Sequence, residues 1–331
     1  MIKKPKKSAL KTKKSILITG SEGFVGSHLA DWILKNKNDY EVHGIRHWYP
    51  RHTPILHLNP RAIYHSCDIR NIEELFKILK RVRPVKIFHL AAQSFVPLSW
   101  VSPAETLETN IVGEANLFEA VRRAGIDPVI QIAGSSEEYG LVKKNEVPIS
   151  EANPLRPLSP YAVSKIGQDF LGYQYFKSYG LKIIRTRAFN HTGPRRGEIF
   201  VTSDFSKQIA EIEKGKKEAV LHVGNLYAVR DFTDVRDMVN AYWLATEKCK
   251  PGEVYNIGSG KGCKIGDMLN ILLSMSRKKI RVEQDPERMR PSDVPVLICD
   301  ARKFRQATGW RSTIPFEKTL RDLLNYWRER V

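Results

Sequence analysis

Short apolar runs alternate with amphipathic stretches through the first part of the chain. The apolar runs predict short buried strands at 16–19, 42–45, 62–65, 86–90, 129–133 and 182–187. Between them, apolar residues recur at helical spacing in 26–36, 72–81, 103–124 and 161–179. This alternation predicts a parallel sheet with helices on both faces, the α/β, doubly wound, Rossmann-type architecture.

Beyond residue 190 the pattern loosens into segments punctuated by proline and glycine. Isolated helices are predicted there at 204–214, 235–248, 265–276 and 316–330. Three parts of the chain follow from these patterns. We expect a disordered basic tail at 1–14, a Rossmann domain at 15–189, and mainly a smaller, substrate-binding C-terminal lobe at 190–331.

The composition is that of a globular protein, with 331 residues, 42% hydrophobic and 27% charged. No apolar run approaches the roughly 20 residues of a membrane helix, and the lysine-rich start lacks the apolar core of a secretory signal. The four cysteines are far apart and form no C-x-x-C pair, so we expect neither disulfides nor a zinc site. Five of the nine histidines fall between His43 and His65, but their irregular spacing indicates a polar loop rather than a metal site. A cytoplasmic protein without membrane contact is expected.

The formal net charge of +18 raises the question of nucleic-acid binding. Seven of those charges lie in 1–14, and the rest are spread along the chain without a recognition motif. We therefore expect no specific nucleic-acid partner. A basic body also suits anionic nucleotide substrates.

A glycine turn follows the first predicted strand and opens the first helix. Gly20 permits the tight turn, Gly23 lets a pyrophosphate approach the backbone, and Gly26 lets helix and strand pack closely. The helix N-terminus, with Phe24 and Val25, supplies N–H groups and a favourable dipole for phosphates. The turn predicts a bound dinucleotide.

The end of the second strand bears on the choice of dinucleotide. An NAD site usually has an acidic residue there, which holds the ribose hydroxyls. Here Arg46 occupies the position and His47 follows. Because a guanidinium can pair with a 2′-phosphate, NADP is preferred over NAD.

Further cofactor contacts are expected at the ends of the third and fourth strands. Asp68 and Ile69 are placed to contact the adenine, although an ordinary helix cap also explains Asp68. Small residues end the fourth strand and let the cofactor lie close, at Leu90, Ala91 and Ala92. Asn110, in the following helix, is either a polar packing residue or a backbone-bonding support for the catalytic helix.

Tyr161 and Lys165 are four residues apart and share one face of a predicted helix. There the ammonium can lower the pKa of the phenol toward neutrality, which makes a base for a sugar or steroid hydroxyl. A Y-x-x-x-K match alone is weak. With Ser135 upstream and the glycine turn before it, the pair predicts an active site.

Together these motifs resemble the extended short-chain dehydrogenase/reductase family, over nearly the whole chain after residue 14. Three segments resemble its GDP-mannose enzymes, GDP-mannose 4,6-dehydratase and GDP-4-keto-6-deoxy-mannose reductase. They are 189–202, which contains Pro194-Arg195-Arg196, then 224–231 and 290–294. The resemblance implies an NADP-dependent enzyme of nucleotide-sugar metabolism that forms a homodimer or homotetramer.

The resemblance also assigns roles at the chemical end of the site. Ser135 would hydrogen-bond O4 of the sugar, Tyr161 would be the base at that hydroxyl, and Lys165 would hold the nicotinamide ribose. Glu137 stands where the dehydratases place the carboxylate that removes the C5 proton. Such a base is needed for elimination of water and superfluous for simple reduction. Its neighbour Glu138 is more readily explained as a turn residue.

Substrate contacts are expected on both sides of the active site. Arg230 and Arg290 can fork onto diphosphate oxygens, and Asn190 can bond the diphosphate or the sugar. A solvated surface charge is the alternative for each arginine, and especially for Lys207 on an amphipathic helix. The full predicted set is Gln93, Ser94, Asn190, Arg196, Val201, Lys207, Arg230 and Arg290.

Two reactions compete within this resemblance. The 194–198 loop favours GDP-mannose 4,6-dehydratase, a lyase whose arginine loop can reach the cofactor of a neighbouring subunit. The segments 202–208 and 231–243 favour the reductase, and reductases can carry the same Ser-Ser-Glu-Glu at 135–138. The dehydratase is our first prediction and the reductase its alternative. Another nucleotide-sugar epimerase or dehydratase comes next, and a non-enzymatic NADP-binding protein is disfavoured because Ser135, Tyr161 and Lys165 are all present.

Overall fold

A computed structural model describes residues 13–47, 57–289 and 294–331. Thirteen strands are assigned within these residues. In chain order they are β1 (Lys14–Thr19), β2 (Tyr40–Arg46), β3 (Ile63–Ser66), β4 (Lys86–His89), β5 (Val129–Ser135), β6 (Lys182–Ala188), β7 (Asn190–Thr192), β8 (Val220–Val223), β9 (Val229–Asp234), β10 (Val254–Ile257), β11 (Gly262–Lys264), β12 (Arg281–Gln284) and β13 (Val296–Leu297).

Eleven α-helices are assigned in the same part of the chain. They are α1 (Phe24–Asn36), α2 (Ile72–Val82), α3 (Val96–Val101), α4 (Pro103–Leu107), α5 (Gly113–Arg123), α6 (Pro160–Tyr179), α7 (Val201–Glu213), α8 (Val235–Lys248), α9 (Ile265–Ser274), α10 (Arg302–Thr308) and α11 (Phe316–Arg328). A π-helical segment, Glu108–Val112, joins α4 to α5. None of these helices is long and apolar enough to cross a membrane.

Seven strands form one parallel sheet in the order β10-β6-β5-β4-β1-β2-β3. Strands β2 and β3 are added on one side of β1 and strands from β4 onward on the other, so the carboxyl ends of β1 and β4 flank a crevice of the kind in which open α/β sheets bind ligands. The predicted doubly wound α/β fold is therefore confirmed.

A hydrophobic core covers each face of the sheet. On one face α1 and α8 pack through residues such as Leu29, Ile33 and Trp243. On the other face the core includes Leu75 of α2, Leu117 of α5 and several residues of the strands. Burial on both faces explains why the strands are nearly continuous apolar runs.

The smaller lobe is built from short strands and the helices α7, α9 and α11. A four-stranded group orders β11-β9-β13 with β7 paired to β9, and β8 pairs with β12. Ile209 of α7, Met268 of α9 and Leu320 of α11 share one core. This lobe faces the carboxyl edge of the large sheet, because β7 follows β6 directly.

The chain crosses between the two parts more than once. After the lobe strand β9, α8 and β10 return to the large sheet, where β10 pairs with β6. A single division at residue 189 therefore does not separate the two parts. Lys14, the last residue of the expected tail, already belongs to β1, and 1–12 lies outside the described residues.

Candidate active site

A cleft of about 1150 Å³ runs along the carboxyl edge of the large sheet. Its walls include residues from the ends of β1, β2, β4, β5 and β6 and from the smaller lobe. All the catalytic, cofactor and substrate residues predicted from the sequence line it, except Arg290, which lies outside the described residues. Residues more than 200 positions apart in the chain, such as Gly20 and Arg230, thus face one space.

The glycine turn at the end of β1 has the shape that a pyrophosphate requires. Gly20 adopts a left-handed φ of 66°, and a Cβ there would lie 2.9 Å from the backbone of Ala91. A Cβ at Gly26 would lie 2.3 Å from the carbonyl oxygen of Gly20. Among the described residues no side chain caps the N-terminus of α1, and its first turn has no acidic residue. The turn therefore fits the phosphates of a dinucleotide.

Arg46 stands at the end of β2, where the ribose of the adenosine is expected. Its guanidinium makes no hydrogen bond or ion pair with any residue that the structure describes. The carboxylate of Glu22, a cleft residue that the sequence did not single out, accepts the backbone N–H of His47 at 3.0 Å. The guanidinium of Arg46 is thus available within the described part of the chain, while the carboxylate of Glu22 is already hydrogen-bonded. This arrangement suits an additional phosphate group on the adenosine ribose.

Asp68 is held in place by Arg70. Oδ1 of Asp68 accepts the backbone N–H of Arg70 at 2.9 Å, and Oδ2 accepts its Nη2 at 2.6 Å. The N-cap of α2 is Asn71, which accepts the backbone N–H of Glu74 at 3.2 Å. The helix-cap alternative for Asp68 is therefore wrong, and the carboxylate lies in the cleft wall.

Ser135, Tyr161 and Lys165 meet where β5 ends and α6 begins. Ser159 caps α6 by accepting the backbone N–H of Ala162 at 3.1 Å, which starts the helix so that Tyr161 and Lys165 face the cleft. Lys165 is only 4% exposed, and its Nζ lies 5.8 Å from the ring centroid of Tyr161. That ammonium donates to the carbonyl oxygen of Ala133 at 2.9 Å and to Oε1 of Gln168 at 2.7 Å.

The expected lowering of the pKa of Tyr161 is not found in the protein alone. Burial raises the pKa of the Tyr161 phenol above its usual value, and the hydroxyl of Ser135 opposes that rise only in part. The physical reason is that Lys165 directs its ammonium to Ala133 and Gln168 and not to the phenol. A base at Tyr161 therefore needs further positive charge beside it.

Glu137 and Glu138 are adjacent in sequence and have opposite environments. Glu138 is fully buried, accepts the backbone N–H of Ser135 at 2.7 Å and pairs with Arg187 at 2.9 Å. The carboxylate of Glu137 lines the cleft and makes no hydrogen bond or ion pair with the described residues. This is the division expected from the sequence, with a structural Glu138 and an available Glu137.

Asn110 supports the catalytic helix. Its Oδ1 accepts the backbone N–H of Gln93 at 2.8 Å, and its Nδ2 donates to Oγ of Ser164 at 2.8 Å. Ser164 in turn donates to the carbonyl oxygen of Tyr161 at 2.7 Å. Of the two readings of Asn110, the support of the catalytic helix is therefore the one found.

The substrate side of the cleft contains both available and engaged polar groups. Oδ1 of Asn190 is buried without a hydrogen-bond partner among the described residues. Arg196 stacks on Phe200, 3.4 Å from its ring centroid, and burial lowers its pKa to about 10. Both amide atoms of Gln93 are already used, and Lys207 pairs with Glu198. Asn190 and Arg196 are therefore the better placed ligands.

An ion pair in the outer wall of the cleft was not predicted. Arg288 donates to Oδ2 of Asp204 at 2.6 Å, and both residues line the cleft. Asp204 lies on α7 one turn before Lys207, so helical spacing from Lys207 could have indicated it. Arg288 has no comparable signal, because it approaches from a segment 84 residues away.

Comparison with known proteins shows the family of this chain. Residues 17–323 match the family described as GDP-mannose 4,6 dehydratase. The chain belongs to the GDP-mannose 4,6 dehydratase family. That match includes the glycine turn, Ser135, Tyr161 with Lys165, and the arginine loop, so the predicted family resemblance is confirmed.

The similar proteins include both GDP-6-deoxy-D-mannose reductases and GDP-mannose 4,6-dehydratases. GDP-6-deoxy-D-mannose reductase of Pseudomonas aeruginosa is 31% identical over 316 residues, which cover 96% of this chain and 98% of the relative. GDP-mannose 4,6-dehydratase of Yersinia enterocolitica is 31% identical over 354 residues, which cover 94% and 93%. The longer second alignment means that the dehydratase carries insertions that this chain lacks.

Solved structures of related enzymes have the same fold. RMD from Pseudomonas aeruginosa complexed with NADPH has a TM-score of 0.85 at 29% identity and covers 96% of this chain and 100% of that one. UDP-glucose 4-epimerase of Thermus thermophilus in complex with NAD has a TM-score of 0.84 at 29% identity, with the same coverage. Of these two similar structures, one thus contains NADPH and the other NAD.

Proposed function

We propose that the cleft transfers hydride between NADP and C4 of a GDP-linked hexose, and that the net reaction is that of a GDP-mannose 4,6-dehydratase. The observation that carries this proposal is the convergence of Ser135, Tyr161 and Lys165 with the available carboxylate of Glu137. Elimination of water needs a base of this kind beside the hydride-transfer site. The match to the GDP-mannose 4,6 dehydratase family and the similarity to several proteins named GDP-mannose 4,6-dehydratase support the assignment.

Each side chain has a distinct task in this reaction. Tyr161 takes the proton from the O4 hydroxyl, while Ser135 holds that oxygen by a hydrogen bond. A nicotinamide cofactor, held by the glycine turn and Lys165, would supply the acceptor for the C4 hydride and the donor of hydride to C6. Glu137 removes the C5 proton, which the C4 ketone has made acidic, and this proton joins the C6 hydroxyl, which leaves as water. C5 regains a proton, the equivalent of the one that Tyr161 took from O4, as hydride adds to C6. Lys165 supplies a fixed positive charge and a donor for the ribose next to Tyr161.

The diphosphate of the substrate needs cationic and amide groups beyond the reacting sugar. Arg196 presents a half-buried guanidinium between Phe24 and Phe200, whose ring centroids are 4.9 and 3.4 Å from its central carbon. Stacking fixes the plane of the guanidinium and leaves its N–H donors for phosphate oxygens. We place the diphosphate between Arg196, Arg230 and Asn190, all of which line the cleft.

A second candidate is the NADPH-dependent reduction of GDP-4-keto-6-deoxy-mannose. Two observations favour it. The reductase relative aligns over 316 residues with nearly the full length of both chains. The arginine loop folds back onto its own chain, since Arg195 pairs with Asp31 at 2.7 Å.

The two candidates separate in one experiment. Purified protein with NADP⁺ and GDP-mannose, without added reductant, is expected to yield GDP-4-keto-6-deoxy-mannose, identified by mass spectrometry as loss of water. Conversion of the keto sugar with NADPH, together with no reaction of GDP-mannose, would replace the dehydratase by the reductase. Failure of both reactions would remove the proposed function.

We further propose NADP as the cofactor, because Arg46 is available to a 2′-phosphate. The Arg46→Ala variant should bind NADP(H) about 10- to 100-fold more weakly, the worth of one charge-assisted hydrogen-bonded contact, with NAD(H) affinity little changed. Isothermal titration with both cofactors measures this. Arg61→Ala, which removes an arginine outside the cleft, serves as the control. Equal losses for NADP(H) and NAD(H) would contradict the proposal.

We propose that α6 forms part of a contact between two copies of the chain, as the family resemblance implies. Val163, Phe170 and Tyr173 lie on one side of α6 and are 47%, 55% and 41% exposed. An apolar stripe of this kind on a helix surface is typical of a protein interface. Either a homodimer or a homotetramer built on that dimer fits.

We also assign the protein to the cytoplasm, since the described cysteines are all free thiols.

A further inference from the structure

Glu114 is a carboxylate buried behind the catalytic lysine. It lies on α5 with 0% exposure. Its Oε2 accepts Nε2 of Gln168 at 2.8 Å, and its Oε1 has no hydrogen-bond partner among the described residues. Because burying a carboxylate is costly without a compensating charge or hydrogen bond, this position calls for a counter-charge.

Gln168 connects that carboxylate to the catalytic lysine. Its Oε1 accepts Nζ of Lys165 at 2.7 Å while its Nε2 donates to Glu114. The other acceptor of Lys165 is the neutral carbonyl oxygen of Ala133. The direct partners of the ammonium are thus uncharged, and Glu114 lies one amide group away.

His89 does not neutralise Glu114. Thr19 Oγ1 accepts the backbone N–H groups of Leu90 and Ala91, both at 3.1 Å, so its own O–H donates to Nδ1 of His89 at 2.8 Å. His89 therefore carries its proton on Nε2, which lies 3.7 Å from Glu114. Burial lowers the pKa of His89 to about 3, so the ring is neutral.

The remaining charged groups around the site are paired with one another. Glu138 pairs with Arg187 at 2.9 Å, and Asp169 pairs with Arg187 and Arg185, both at 2.5 Å. Burial raises the pKa of Glu114 well above its usual value, and the positive charge of Lys165 is the main influence that opposes this rise. Tyr161 and Asp169 are the titratable groups near Lys165 on its own helix.

Two side-chain contacts between α6 and the helix before it repeat at a spacing of four residues. Asn110 bonds Ser164, which holds the carbonyl oxygen of Tyr161, and Glu114 bonds Gln168, which holds Lys165. The first contact thus fixes the helical turn that contains Tyr161, and the second fixes the position of the Lys165 ammonium. The π-helical segment ends at Val112, two residues before Glu114. Segments of this kind are frequent at functional sites.

We propose that Glu114 is a positioning residue whose carboxylate, acting through Gln168, keeps the ammonium of Lys165 charged and fixed at the wall of the cleft. The catalytic meaning of this proposal rests on the proposed function. Burial lowers the pKa of Lys165 to about 8, and the negative charge of Glu114, followed by that of Glu138, opposes that lowering. Without the charge, Lys165 would lose its proton at a lower pH.

The test is the Glu114→Gln variant, examined by the reactivity of Lys165. Acylation of Lys165 as a function of pH, measured by peptide mass spectrometry, reports the protonation of the amine without any turnover. We expect its midpoint to fall by about one pH unit or more relative to the unchanged chain. The alkaline limb of the kcat profile should move in the same direction. Glu119→Gln, which changes a partly exposed carboxylate of the same helix, should leave both unchanged.

An unchanged midpoint in folded Glu114→Gln protein would overturn the proposal, even if the melting temperature fell. Where that variant does not fold, Gln168→Met breaks the same connection, and an unchanged midpoint there has the same meaning. Absence of activity in the unchanged protein would defeat the proposed function. The acylation midpoint would still decide the role of Glu114.

Discussion

The Tyr161→Phe variant is expected to lower kcat by about 10²- to 10⁴-fold, the usual contribution of a positioned general acid or base. The phenol is the group that exchanges a proton with O4 when hydride moves at C4. Phenylalanine keeps the ring in its buried position, where the side chain is 8% exposed, so folding and cofactor binding should persist. Steady-state kinetics on the active substrate measure the effect.

The matched control for this loss is Tyr179→Phe. Tyr179 ends the same helix and is 47% exposed, away from the cleft. Its variant should keep the kcat of the unchanged protein. If Tyr161→Phe also kept that rate, another group would have to handle the O4 proton, and the assignment of the active site would be wrong.

The Glu137→Gln variant is expected to lower the rate of water loss from GDP-mannose by about 10²- to 10⁴-fold. An amide is nearly isosteric with the carboxylate but cannot take the C5 proton. Oxidation at C4 uses Tyr161 and should continue. Rapid mixing of the variant with GDP-mannose should therefore show reduced cofactor, while mass spectrometry shows little 4-keto-6-deoxy product.

Full water loss in Glu137→Gln would remove this carboxylate from the mechanism. Under the reductase alternative, the same variant should retain NADPH-dependent reduction of the keto sugar, since reduction needs no base at C5. The Glu137→Asp variant is the conservative control, because it keeps a carboxylate and should recover part of the elimination rate. The rates of the two variants together thus show whether Glu137 acts as the base at C5 or takes no part in the reaction.

The fold was largely predictable because apolar residues recur with a different period in buried strands and in amphipathic helices. The runs that predicted six strands correspond to β1 to β6, with ends shifted by up to two residues. The seventh strand, β10, was not predicted, because it is a short run in the loosely patterned second half and pairs with a strand some 70 residues earlier. The helix predicted at 103–124 is divided by a π-helical segment, whose hydrogen bonding leaves no distinct sequence signal.

The candidate site was predictable where geometry demands a residue type. Gly20 and Gly26 leave no room for a Cβ, and the spacing of Tyr161 and Lys165 is fixed by the helix. The environment of those groups was not predictable. Glu114 lies in an ordinary amphipathic helix sequence, where nothing distinguishes a buried carboxylate from a surface one. The raised pKa of Tyr161 likewise depends on burial that only the assembled structure shows.

The central claim is hydride transfer at C4 through Tyr161, and the near-ultraviolet absorbance of reduced nicotinamide reports it directly. Protein loaded with NADP⁺ is mixed with GDP-mannose, and protein loaded with NADPH is mixed with GDP-4-keto-6-deoxy-mannose. Because the hydride returns to C6 in each turnover, we predict a transient rise after rapid mixing with GDP-mannose, and no comparable transient in Tyr161→Phe. A fall with the keto sugar alone would assign the reductase reaction at the same carbon. Neither a transient nor a lasting change with either sugar, together with no product from either sugar in the unchanged protein, would contradict hydride transfer at C4.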